Sequence, residues 1–95
     1  MSNEQPRELK INDNFAGGEY SNFANISHNQ EEFQLVFANV VPPAGRVVAK
    51  VLTTPAHFKR IITTMNDNLK RYEERFGQIN DQPSPLDKEI GFQGN

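Results

Sequence analysis

The sequence predicts an α+β domain: a four-stranded antiparallel sheet in ββββα order, its first strand short, followed by one long C-terminal amphipathic helix. Three observations lead there. Between Glu19 and Thr53 apolar residues alternate with a period of two in short runs rich in β-branched and aromatic side chains. Two turn signals, Ser27 to Glu31 and Pro42 to Gly45, cut those runs into strand lengths. After Thr54-Pro55 the apolar spacing changes to alternating steps of four and three and holds to Phe76.

The expected first strand is the short extended stretch Leu9–Ile11, ended by Asn12-Asp13-Asn14 and a flexible Gly17-Gly18 turn. From Glu19 to Ser27, Tyr20, Asn22, Ala24 and Ile26 fall on one side and Phe23 on the other. Glu32 to Val41 sets Phe33, Leu35 and Phe37 on one face and Val36, Ala38 and Val40 on the other, so both faces of this strand need cover. Pro42-Pro43-Ala44-Gly45 reads as a turn, because proline cannot donate to a ladder. Val47 to Thr53 resumes extension, with Val47, Ala49 and Val51 alternating with Val48, Lys50 and Leu52.

Thr54 is an N-cap candidate and Pro55 suits the first helical position, while Gly77 follows the last periodic residue. Phe58, Ile62, Met65, Leu69, Tyr72 and Phe76 form one continuous seam, which Ile61 widens. A helix of this length spans about 33 Å. Strands of eight to ten residues reach roughly 27 to 33 Å, so the expectation is that the helix lies along the whole sheet. One helix still covers only about 10 Å of width. The uncovered remainder argues for self-association, with a symmetric dimer as the default.

The 95 residues suit one domain, expected over 9–77, between a flexible N-terminus at 1–8 and a flexible tail at 78–95 in which Leu86, Ile90 and Phe92 are a candidate docking motif. A core of roughly 70 residues is marginal without disulfides, a metal or a second subunit. There is no cysteine, which removes disulfides and thiolate metal sites and agrees with a reducing compartment. The opening MSNEQPRELK lacks an export signal and no window resembles a membrane span, so a cytoplasmic protein with no membrane association is expected.

Catalytic and cofactor equipment is not expected: no catalytic residue, no metal ligand set and no cofactor. His28 and His57 are the two histidines, and neither belongs to a ligand set of recognisable spacing. Glu31-Glu32 and Glu73-Glu74 are sequence neighbours, whose carboxylates do not face one another. Ala16-Gly17-Gly18 lacks the lysine and helix start of a phosphate loop. An enzyme built on Ser27, His28 and His57 would require those side chains to converge within hydrogen-bond reach.

Ser27-His28-Asn29-Gln30-Glu31-Glu32-Phe33, Thr54-Pro55-Ala56-His57-Phe58-Lys59-Arg60 and Tyr72-Glu73-Glu74-Arg75-Phe76-Gly77 occur in that order. They resemble the Ser-His-x-x-x-Glu-Phe, Thr-Pro-x-His-x-Lys-Arg and Tyr-Glu-x-x-Phe-Gly motifs of the bacterial and archaeal family called domain of unknown function 3467. The resemblance covers about residues 19–77, supports the order of elements and implies no activity. It raises Ser27, His28, Glu32, Phe33 and His57 as positions to examine. At the level of fold, the sheet-and-helix order is also similar to the oligomeric export chaperone SecB.

The functional expectation is a non-enzymatic, homo-oligomeric protein-binding or scaffolding module, chaperone-like if it offers apolar grooves to an unidentified protein partner. Its surface is expected at Val36, Ala38, Val40, Val48 and Leu52 on the sheet, and at Phe58, Ile62, Met65, Leu69, Tyr72 and Phe76 on the helix. The alternative is a dimeric nucleic-acid-binding protein. Net charge is −2, yet residues 46–77 hold seven Lys and Arg against three acidic residues. Arg46, Lys50, Lys59, Arg60, Lys70 and Arg71 would then contact phosphates, with affinity falling steeply as salt rises. Within the helix, Asp67 with Arg71 and Lys70 with Glu74 are expected to pair at i to i+4.

Overall fold

The computed structural model describes residues 8–80. Three strands, β1 (Phe23–His28), β2 (Phe33–Val41) and β3 (Ala44–Thr53), form an antiparallel meander in spatial order β1-β2-β3, and α1 (Pro55–Phe76) follows. The sheet has three strands where the sequence pattern suggests four. Leu9–Ile11 makes no ladder and its apolar side chains stand in solvent, Leu9 at 86% and Ile11 at 84% exposure. Three apolar-flanked residues carry too little side-chain surface to offset the ordering of a strand. The expected tail beyond residue 80, with Leu86, Ile90 and Phe92, lies outside the described residues.

β1 begins at Phe23, later than the alternation suggests, because side chains take over from the backbone ladder there. The Asn22 N–H donates to the Ala38 carbonyl at 3.1 Å. The Asn22 carboxamide then pairs with both main-chain groups of Val40: Nδ2 donates to its carbonyl at 2.9 Å, and Oδ1 accepts from its N–H at 2.8 Å. The Ser21 hydroxyl lies 3.0 Å from the carbonyls of both Phe23 and Ala38. With Val40 satisfied this way, residues ahead of Ser21 have no ladder left to join.

At the opposite end of β1, Asn29 builds the connection to β2. Its Oδ1 accepts from the N–H groups of Glu31 and Glu32 at 2.8 and 2.9 Å, and its own N–H donates to the Glu32 carbonyl at 3.0 Å. The β2–β3 turn is tighter than the sequence suggests. Val41 pairs with Ala44, leaving only Pro42 and Pro43, joined by a cis peptide, between the strands. Ala44 and Gly45 therefore belong to β3. A Cβ on Gly45 would lie 3.0 Å from Val40 Cγ2, so the close strand approach there suits glycine.

Phe37 pairs with Ala49 but Ala38 pairs with Val47, which leaves Val48 as the extra residue of a β-bulge. Strict alternation is broken at that point, and Val47 shares the face of Ala38 and Val36. The buried apolar residues among those described are Leu35, Val36 and Ala38, at 4, 3 and 4% exposure, all on the central strand. Leu35 faces the side that α1 approaches; Val36 and Ala38 face the other.

The helix starts and stops where its residues dictate. Thr54 is extended (φ −76°, ψ 157°) and its Oγ1 accepts from the His57 N–H at 3.1 Å, with Pro55 in the first turn. Gly77, at φ +91°, ends it and donates its N–H to the Glu73 carbonyl at 2.9 Å. However, α1 does not lie along the sheet, and none of its residues is buried. Thr54 is the sole link between β3 and α1, and one residue reaches at most about 3.6 Å. The helix meets the sheet face only through its first turns, at Phe58 and Ile61, and the seam beyond them is exposed.

Asn22→Ala removes the two hydrogen bonds that close the β1 edge onto Val40. Their loss should destabilise the fold by about 1–2 kcal/mol, read as a lowered urea midpoint with an unchanged slope.

Candidate interaction surface

The helix meets the sheet through its first turns. Phe58 is half-buried and stacks on Phe33, with ring centroids 4.1 Å apart and 6° between planes. The His28 ring, paired across the ladder with Phe33, lies 5.2 Å from it. The residues of the Ser-His and Thr-Pro motifs thus have structural work here: Asn29 and the turn join β1 to β2, Thr54 caps α1, and Phe33 anchors Phe58. Ser27 and His28 occupy successive positions of β1 and so face opposite sides of the sheet. His57 is exposed and stands about 100° around the helix from Phe58. These three side chains do not converge.

Beyond Phe58 the seam leaves the sheet. Ile62, Met65, Leu69, Tyr72 and Phe76 are 43 to 65% exposed. The Tyr72 and Phe76 rings lie 5.0 Å apart between centroids, tilted by 45°, and the Arg75 guanidinium lies 5.2 Å from the Phe76 ring. The spacing of these residues is that of a heptad: Ile62, Leu69 and Phe76 occupy the a positions, Phe58, Met65 and Tyr72 the d positions. The stripe follows heptad spacing, and half-buried Ile61 widens it on one side near the sheet.

The sheet offers less than the sequence suggests. Val36 and Ala38 are already buried and Val40 and Val48 are half-buried, which leaves Leu52 as the exposed residue of the five expected there. A central strand has neighbours on both sides: Asn25 and Lys50 flank Val36, and Phe23 and Val47 flank Ala38. Further exposed apolar surface lies at Ile26 and Val51, which flank Leu35 in one row on the helix side, and at Val47 beside Ala38 on the other face. Only the strand register could have identified that row.

The basic residues are dispersed. Arg46 is tied to Glu19 by a 3.0 Å ion pair, and Lys50 stands opposite Val36 on an edge strand. Lys59, Arg60, Lys70 and Arg71 spread across roughly 120° of the helix surface, with Asp67 and Glu74 on the same line as Arg60. The intrahelical pairs Asp67–Arg71 and Lys70–Glu74 do not form: among the described residues the ion pairs are Glu8–Lys10 and Glu19–Arg46. Among the described residues a shallow, open trough runs along the C-terminal half of α1, lined by Leu69 with Asn66, Lys70, Glu73, Glu74 and Gln78. The described residues contain no cluster of three or more metal-ligating side chains, and no described helix is long and apolar enough to cross a membrane.

Phe58→Ala takes away the stack that fixes the helix start. It should cost about 2 kcal/mol, being a half-buried aromatic truncation, and thermal unfolding followed by circular dichroism measures it.

Comparison with curated proteins and with solved structures returns no match. A family profile does match, over residues 1–81, and carries the description Protein of unknown function (DUF3467). The motif residues placed above all fall within that span, and the chain belongs to this family.

Proposed function

We propose that the chain is a non-enzymatic module that works as a homo-oligomer, a dimer in its simplest form, and that presents the assembled surface to a protein partner as a binding or scaffolding unit. The observation that carries this reading is the exposed seam of α1: five large apolar side chains in one stripe, on a 22-residue helix that buries none of its residues. A stripe of that kind is uncommon on a monomer.

The helix also needs help to exist. Thr63-Thr64-Met65-Asn66-Asp67-Asn68, at its middle, contains five residues of weak helix propensity. The Thr63 hydroxyl donates back to the Lys59 carbonyl at 3.2 Å, a bond that slightly weakens a helix. Helices in water draw most of their stability from packing of an apolar face. α1 receives that only at Phe58 and Ile61.

A cytoplasmic setting accords with the lack of cysteine. The family resemblance favours a bacterial one. The nucleic-acid reading draws little support, since Arg46 is engaged by Glu19 and acidic residues interrupt the helix cations. A chaperone-like role would call for an enclosed apolar groove, and the trough on α1 is shallow and open to solvent.

Light scattering across a dilution series tests the reading. A mass of at least twice 10.8 kDa at micromolar concentration is expected, falling towards 10.8 kDa in Leu69→Lys, which sets a charge in the middle of the seam. A wild-type monomer at every concentration, with its helical signal intact, would overturn it.

A further inference from the structure

We infer that two copies pair through α1 as an antiparallel two-stranded coiled coil whose two-fold axis passes at Asp67. The inference rests on the homo-oligomer reading above and specifies its occupant, orientation and register.

The heptad assignment gives the argument. With a at Ile62, Leu69 and Phe76 and d at Phe58, Met65 and Tyr72, the flanking e positions are Lys59, Asn66 and Glu73, and the flanking g positions are Ile61, Asn68 and Arg75. Flanking charges set the orientation of such pairs. In a parallel pair each g residue meets the e residue five positions later on the other helix. Ile61 would face the partner's Asn66 and Asn68 the partner's Glu73, and no opposite charges would meet. In an antiparallel pair e meets e and g meets g. Lys59 then faces the partner's Glu73, and by symmetry Glu73 faces the partner's Lys59. Asn66 faces the partner's Asn66, Asn68 faces the partner's Asn68, and the stem of Arg75 lies over the partner's Ile61.

The apolar layers agree with that register. Phe58 meets the partner's Phe76, Ile62 the partner's Tyr72, and Met65 the partner's Leu69, so each of the six seam residues finds a counterpart and the weak middle of the helix lies on the axis. Lys59 has no ion-pair partner among the described residues, which leaves it available. At its e position Glu73 accepts from the Ile79 N–H through Oε2 at 3.1 Å, which leaves Oε1 for the partner's lysine. The arrangement also brings the partner's Phe76 to the level of Phe58, where the seam meets Phe33 and the sheet face that α1 leaves open.

A charge exchange tests the orientation. Lys59→Glu replaces two attractive contacts per dimer with two repulsive ones, and Glu73→Lys does the same. Each should raise the dimer dissociation constant by about tenfold, and the double variant should return it to within about threefold of wild type. Dissociation constants come from sedimentation equilibrium. The chain has no native cysteine, so Asn66→Cys adds a readout that does not perturb the charges. A short bifunctional thiol reagent should link two copies at the axis, whereas a parallel pair holds the two Asn66 positions on opposite flanks. If the wild type is monomeric, the homo-oligomer reading itself fails. A stable wild-type dimer that ignores both single exchanges and does not link through Asn66→Cys would leave that reading standing and overturn the antiparallel pairing.

Discussion

The joint at Thr54 governs the rest of the molecule. One residue separates the last strand from the helix, and its hydroxyl is committed to capping the first turn. The helix therefore leaves the end of the sheet directly, and Phe58 is the seam residue that reaches back, onto Phe33. Everything beyond it projects from the domain. The seam beyond Phe58 thus gains no cover from the sheet.

What the sheet can hold by itself is small. Its buried residues, Leu35, Val36 and Ala38, come from one strand, and they are covered by cross-strand neighbours rather than by a second layer. Domains bury their apolar faces between packed layers, and here the second layer is missing from the chain's described residues over most of the sheet. Side-chain devices replace some of that packing at the edges: the Asn22 amide completes the ladder to Val40, and the Asn29 carboxamide closes the first hairpin. Pairing through α1 would cover the exposed helix seam, which the sheet does not.

The helix was legible in the sequence from cap to cap, because Thr54, Pro55 and Gly77 act locally and the seam repeats over six turns. Both hairpins were legible for similar reasons. The short first strand was not, since an apolar pair at Leu9 and Ile11 reads the same whether or not an edge is free to receive it. The start of β1 escaped because Asn22 acts through a side chain paired 18 residues away, which no local pattern encodes. The candidate surface was half legible. Alternation placed Val36 and Ala38 on a face but could not tell that flanking strands would close over them, and the bulge at Val48 moved Val47 across. The spacing of the seam could be read from the sequence, but its expected place on the sheet could not, because length compatibility between helix and strands says nothing of the direction in which the helix leaves the last strand.

The most direct test of the proposed pairing of α1 with a second copy is amide hydrogen exchange at several protein concentrations. Protection of residues 62–76 should rise with concentration in step with the oligomer. Equal protection of those amides at a dilution where the mass is that of one chain would contradict the account, because the helix would then stand without a second copy.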